Sequence, residues 1–117
     1  MTVHECTLNS PWYEYVKSGE KIYEGRRQTD KTKNIKLGDI LKISHHIDKN
    51  LETFTKTVEH VFVFKTFEEG LIYFNSTNQL KRVLPNIETV HEGVEIYKKY
   101  VSYPTQLKDG VVFIMLY

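Results

Sequence analysis

The chain is poor in the residues that would advertise a disulfide scaffold or a metal centre. It has one cysteine, Cys6, with three prolines and six glycines in 117 residues. A lone thiol forms no internal disulfide and no cysteine-based zinc site, and it fits a reducing compartment. Cys6 falls in an early β pattern and reads as a small buried hydrophobe. No apolar run approaches the ~18 residues needed to span a bilayer, and residues 1–5 carry no secretory pattern. The expectation is a soluble intracellular protein, cytoplasmic or nuclear. An excess of charge of one sign is also missing: 16 basic against 15 acidic residues give a net charge of +1. That balance argues against a generic polyanion binder and leaves room for a local basic patch. Repeats, low-complexity stretches and linkers are absent, so the length predicts one domain over 1–117.

Hydrophobic residues make up 40% and charged residues 26%, and the aromatics are eight Tyr, six Phe and one Trp. Aromatics bury large areas and favour strands, which predicts a strand-rich core. Residues 2–8 read as a first strand. Ser10-Pro11 opens a helix, with Pro11 at a position where a missing N–H costs nothing, and Gly19 ends it. A second strand covers 22–27, and 28–34 reads as an unanchored polar loop. Strand patterns follow over 40–47 and 53–65, the latter long enough to require a bulge. Capping boxes at Thr66–Glu69 and Thr89–Glu92 mark helices, the second with Val90, Val94, Tyr97 and Val101 on its core face. A shorter helical piece over 78–84 stops at Pro85. The last segment, 111–117, is apolar on both faces and reads as a central strand. This order predicts an α+β fold: a small, mostly antiparallel β-barrel whose first and last strands pair side by side, with helices over its openings.

The chemistry concentrates in residues 18–27. The turn after Gly19 brings Lys21 to the start of the second strand, and strand parity puts Glu24 and Arg26 on one face, with Tyr23 and Arg27 on the other. A lysine, a carboxylate and a guanidinium at one strand end suit a polar or anionic ligand. The nearby Lys31, Lys33 and Lys36 form the densest basic stretch, placed to meet phosphates, while Trp12, Tyr13 or Tyr23 offers a face for stacking a base. Trp12, near the start of the first helix, either buries against the barrel or lines the cleft.

Five histidines raise the question of a metal. His45 and His46 are adjacent on a strand and point to opposite faces, and His4, His60 and His91 lack ligand spacing, so no metal site is expected. His45, on an apolar face, reads as a core histidine with one hydrogen-bonded nitrogen. No phosphate-cradling glycine loop, Ser-His-Asp order or Cys-His nucleophile pattern is present, and no cofactor is implied.

Taken together, Pro11-Trp12-Tyr13-Glu14, the Gly19–Lys21 turn, Glu24-Gly25-Arg26 and Gly38-Asp39 resemble the ASCH domain, a branch of the PUA-like superfamily. Residues 83–87, the helix through 92–97 and the ending Gly110-Val111-Val112-Phe113-Ile114 fit the same resemblance, which spans almost the full length of what looks like a small stand-alone member. It implies a PUA-like barrel of about six strands with a cleft beside the first helix. It also implies an RNA- or nucleotide-binding role, including one in transcription regulation through protein partners. Some small members are amidohydrolases that deacetylate N4-acetylcytidine, using the lysine matched here by Lys21, a threonine three residues on and a later acid. The threonine position holds Glu24, and Glu88 is a loose candidate for the later acid. Amide hydrolysis needs an activated nucleophile and oxyanion stabilisation. Lys21 as nucleophile needs a lowered pKa, which the carboxylates of Glu20 and Glu24 oppose. Lys21, Glu24 and Arg26, with Trp12, Tyr13 and Tyr23, are therefore expected to bind a nucleotide, a modified nucleoside or RNA. Catalysis through Lys21 and Glu24 is the alternative, and a protein-interaction domain without ligand chemistry is a third.

Overall fold

The last strand organises the fold. In a computed structural model describing residues 1–117, β5 (Val111–Leu116) lies between β4 (Asn50–Phe64) and β2 (Tyr23–Arg27), antiparallel to both. Its residues alternate between two cores. Val111 and Phe113 enter one, and Val112, Ile114 and Leu116 enter the other, as expected of a strand apolar on both faces. Beyond β4 come β3 (Ile40–Ile47), antiparallel, and β1 (Val3–Thr7), parallel to β3.

The strand order is β1-β3-β4-β5-β2, a five-stranded mixed sheet rather than a closed barrel. The expected pairing of first and last strands does not occur: β1 is an edge strand on β3, and β2 is the other edge on β5. The physical reason lies at Asp39, ahead of β3. Its carboxylate accepts from the Thr2 backbone N–H at 3.1 Å and contacts His4 Nε2 at 2.8 Å, and Ile40 N–H donates to the Thr2 carbonyl at 2.9 Å. These contacts bind the start of the chain to β3. The bulge expected in the long strand is present, between Val58 and His60 of β4.

Six helices complete the α+β fold: α1 (Trp12–Ser18), α2 (Asp30–Lys33), α3 (Phe67–Ser76), α4 (Leu80–Val83), α5 (Val90–Lys98) and α6 (Tyr103–Asp109). Pro11 stands just ahead of α1, and Gly19 closes it in the left-handed conformation at φ 86°, which glycine adopts without strain. Thr66 caps α3 by accepting from Glu69 N–H. Thr89 and Glu92 cap each other's backbone N–H groups at the start of α5. The 28–34 stretch is not an unanchored loop: Thr29 and Thr32 form a reciprocal cap over the short α2, a hydroxyl version of the capping box that a search for Glu or Gln passes over. α6 was not expected; Ser102 caps it and Pro104 lies in its first turn.

The first core packs α3, α4 and α5 on the sheet around Phe67, Leu71, Phe74 and Phe113. Burying each such side chain contributes about 1.5–3 kcal/mol. The second core packs Tyr13 and Val16 of α1 against Leu41, Ile43, Val58 and Ile114. No helix is long and apolar enough to cross a membrane.

Candidate functional site

Because the sheet curls without closing, its two edge strands face each other across a cleft. A cavity of about 430 Å³ occupies this gap, lined by β1, the start of α1, β2, α2 and the C-terminal part of α5 with the loop after it. Leu84, Ile96, Val101, Phe67 and Ile114 give it apolar walls, with Trp12 and Tyr100 at its rim. Among its lining residues are four cations, Lys21, Arg26, Arg27 and Lys31, and a single carboxylate, Glu24. A chain of almost neutral net charge therefore gathers a local basic excess at one place.

Lys21 is the most buried of these cations, with its side chain 2% exposed. Its Nζ donates to the Tyr23 carbonyl at 2.6 Å and to the Val83 carbonyl at 2.5 Å, and lies 3.8 Å from Glu24 Oε1. It also sits 6.0 Å from the Trp12 ring centroid, within cation–π range. The turn after Gly19 creates this position, because Lys21 N–H bonds the Tyr15 carbonyl and Ile22 N–H bonds the Arg82 carbonyl, stitching the strand start to both α1 and α4. Burial lowers the Lys21 pKa to about 8; the Glu24 carboxylate opposes the fall and Arg26 adds to it. The carboxylate influence weighed from sequence is real, but desolvation outweighs it. Deprotonated, Lys21 would keep two N–H groups for the two carbonyls and a lone pair for chemistry.

Glu24 and Arg26 form the other half of the site, on one face of β2 as strand parity requires. Arg26 Nε donates to Glu24 Oε2 at 2.7 Å, and Nη2 donates to the Thr7 carbonyl on β1 at 3.1 Å. Glu24 is buried and Arg26 is 36% exposed, so the guanidinium bridges the inside of the cleft to its mouth. The Glu24 charge raises the Arg26 pKa, which keeps it cationic throughout. At the mouth, Arg27 pairs with Asp109 at 2.9 Å and Lys31 Nζ contacts the Glu5 carbonyl. Cys6 also lines the cleft, and burial pushes its thiol up to about 11, which leaves it unreactive near neutral pH.

Several side chains anticipated at the site lie elsewhere. Tyr13 is buried in the second core against His45 and Phe54, and Tyr23 in the first against Phe74 and Phe62. Neither reaches the cleft. Tyr23 follows from parity, since the face opposite Glu24 and Arg26 turns inward. Glu88 stands on the surface, paired with Lys81 at 2.6 Å, and contributes no second acid to the cleft. Lys33 and Lys36 line a shallower depression on the far side of α2, while Lys31 alone of the three faces the cleft. His45 is half-buried with Nδ1 2.9 Å from the Leu8 carbonyl, and the histidines, carboxylates and thiol form no metal-binding cluster.

The structure adds Tyr97, Tyr100 and Thr7 to the site. Tyr97 was legible only as part of the apolar face of α5. Its ring stacks on Phe67 at 4.1 Å and 4°, while its face toward β2 belongs to the cleft. Tyr100 Oη accepts from Trp12 Nε1 at 3.2 Å and so fixes the rim indole. Thr7 contributes a backbone carbonyl, which no side-chain pattern announces.

No protein-family model matches the chain, and none of the curated proteins matches it. Among solved structures, the hypothetical protein PH0355, known from a crystal structure, shares the fold with a TM-score of 0.80 at 28% identity, over 99% of this chain and 97% of that one. Protein PF0455 from Pyrococcus furiosus, solved by solution NMR, has a TM-score of 0.72 at 25% identity, over 98% of this chain and 96% of its own. The likeness extends over essentially the whole length of both proteins.

Proposed function

We propose that this chain is an ASCH-type domain of the PUA-like superfamily that holds a nucleotide or a short unpaired RNA in the cleft between β1 and β2. One observation carries the reading: four cations and one carboxylate converge on an apolar cavity of about 430 Å³ with the sole tryptophan at its rim. Charged groups at the mouth suit phosphate, and apolar walls with an aromatic edge suit a base. Arg26, Arg27 and Lys31 take the phosphate, because they stand where the cleft opens and their present partners are backbone carbonyls or single carboxylates. Glu24 accepts from an N–H of the base. Lys21 positions Glu24 and the strand end, since its own donors are committed to Tyr23 and Val83. The curled, unclosed sheet is the barrel of the resemblance with its seam left open as the binding site. Such a ligand places the protein inside the cell.

Few phosphates can be engaged, so the salt dependence is shallow. The test is titration of nucleoside monophosphates and a short single-stranded RNA against the wild type and Arg26→Ala at low salt. Binding by the wild type, weakened at least tenfold in the variant, supports the reading. Equal binding by both proteins, or none by either, removes it.

A second reading draws on Lys21. An amine with its pKa lowered to about 8, held by two carbonyls beside a buried carboxylate, is the environment a nucleophilic or base-acting lysine requires. Amide hydrolysis of an N4-acetylcytidine-like nucleoside would then proceed with Glu24 as the acid–base partner. Incubation with N4-acetylcytidine decides it: cytidine released by the wild type and not by Lys21→Ala promotes the enzyme, and no release discards that substrate.

A further inference from the structure

On the β2 side the cleft is walled by an unpaired strand edge. In the ladder with β5, Leu116 N–H donates to the Ile22 carbonyl at 2.7 Å and Gln28 N–H to the Gly110 carbonyl at 3.0 Å. Such bonds recur at every second residue of an antiparallel strand, so Ile22, Glu24, Arg26 and Gln28 face β5. Tyr23, Gly25 and Arg27 therefore turn their N–H and C=O groups the other way, toward the cleft. Lys21 agrees with this direction, since its Nζ reaches the Tyr23 carbonyl at 2.6 Å without disturbing the ladder.

The facing edge belongs to β1. Leu8 N–H donates to the Ser44 carbonyl and Ile40 N–H to the Thr2 carbonyl, so the even-numbered residues bond β3 while Glu5 and Thr7 look into the cleft. The carbonyls of Glu5 and Thr7 are already covered, by Lys31 and Arg26. Lys21 covers Tyr23 in the same way and ties it to the Val83 carbonyl. Gly25 and Arg27 remain: both line the cavity, and no protein group bonds their N–H or C=O. Gly25 is the more sheltered, half-buried where Arg27 is exposed. A Cβ on it would stand 2.7 Å from Tyr97 Oη and 2.9 Å from Phe113, and this close packing holds the edge in place. Sheltered main-chain groups left unpaired are costly, and an open edge invites a partner. That partner is short. Strand addition draws its affinity from a run of main-chain bonds, and only two residues of this edge are open. A planar group with one acceptor beside one donor needs Gly25 alone.

We propose that the Gly25 backbone reads the base-pairing edge of an unpaired nucleobase: its N–H donates to a ring nitrogen or carbonyl oxygen, and its C=O accepts from the adjacent N–H. The proposal rests on the nucleotide reading of the cleft and specifies which edge of the base is taken. Each of the four common bases presents an acceptor next to an N–H on that edge, and in a duplex the opposite strand occupies both. The Glu24 carboxylate is left for a further N–H. Because the reader is main chain, the cleft admits more than one kind of base and rejects paired ones.

A side-chain variant cannot serve as the test, because any Cβ at Gly25 meets Tyr97 and Phe113. The experiment instead follows amide hydrogen exchange of the full chain by NMR, alone and with each of the four ribonucleoside 5′-monophosphates, whose affinities are measured by calorimetry. In the free protein Gly25 N–H should exchange at least tenfold faster than the N–H groups of Glu24 and Arg26; equal rates overturn the open edge. Saturation with the monophosphate bound best should narrow that gap at least tenfold, whereas general stabilisation would widen it. Its counterpart methylated on the pairing-edge nitrogen should bind at least tenfold more weakly. A monophosphate that binds and leaves the gap unchanged, or binds equally well when methylated, overturns the role of Gly25 while leaving nucleotide binding intact. Protection of Gly25 by an acetylated hexapeptide of alternating threonine and valine, and by no monophosphate, assigns the edge to strand addition and overturns the proposal. Absence of nucleotide binding overturns both readings.

Discussion

Arg26 on β2 donates to the Thr7 carbonyl on β1 at 3.1 Å, and this one side chain joins the two edges of the open sheet. The same guanidinium holds the buried Glu24 carboxylate at 2.7 Å. The seam and the proposed ligand contact thus share one residue at the mouth of the cleft, and a ligand that engaged Arg26 would also act on the seam between the edges.

Truncating Arg26 to alanine leaves Glu24 buried with Lys21 at 3.8 Å as its nearest charge. The expected loss is about 1–2 kcal/mol of stability, less than for a fully enclosed pair because Arg26 is 36% exposed. Arg26→Lys keeps the charge but lacks the fork that reaches Glu24 and Thr7 together, so it recovers only part of the loss. Urea unfolding of the three proteins measures the order wild type, lysine, alanine; an alanine variant as stable as the wild type contradicts the bridging role.

Lys21 gives stability a signature in alkaline solution. The unfolded chain holds the lysine proton up to about pH 10.5, whereas the folded protein releases it near 8. Between those values the unfolded state binds more protons, so this residue makes stability rise with pH across the window. The full effect is about 3 kcal/mol. The measurement is the difference in unfolding free energy between the wild type and Lys21→Met from pH 7 to 10. It should move in favour of the wild type as pH increases, and a flat difference would show that Lys21 keeps an ordinary pKa.

Asp39 acts at the opposite end of the pH scale. Hydrogen bonding to His4, then to the backbone N–H groups of Lys36 and Thr2, lowers its pKa from 3.8 to about 2. A lowered carboxylate pKa contributes stability that is complete above about pH 4 and is lost as pH falls toward 2. Asp39→Asn is expected to lose this part of the acid transition and to loosen β1 first, since Asp39 ties Thr2 and His4 to the start of β3. Amide exchange at Val3–Thr7 faster than in β5 of the same variant is the outcome that identifies the anchor; uniform acceleration would indicate general destabilisation instead.

The sequence carried the elements better than their assembly. Caps are local devices, so Gly19, Thr66 and the Thr89–Glu92 pair marked helix ends legibly, and parity within β2 grouped Glu24 with Arg26. The pairing of β1 depends on contacts from Thr2 and His4 to Asp39, separated by 37 and 35 residues, and no period in the chain encodes them. Burial of Lys21 was likewise hidden: its acceptors are the carbonyls of Tyr23 and Val83, and backbone groups look alike at every position. Tyr97 read as core because a helix face that packs on a cleft wall has the same spacing as one that packs on a core.

Trp12 provides the direct optical test of the cleft. It is the one tryptophan in the chain, half-buried at the rim, with Nε1 donating to Tyr100 Oη at 3.2 Å and its ring 6.0 Å from Lys21 Nζ. A base entering between β1 and β2 changes the surroundings of this indole, so a nucleotide bound in the cleft should shift or quench its emission. Tyr100→Phe removes the acceptor that fixes the ring and should alter the unliganded spectrum while leaving the Glu24–Arg26 pair in place. Binding seen by calorimetry with no change in Trp12 emission would put the ligand outside the cleft. A saturable change whose midpoint agrees with the calorimetric affinity, and which Arg26→Ala moves to at least tenfold higher concentration, puts it inside, because Trp12 and Arg26 stand on different elements and meet only across that cavity.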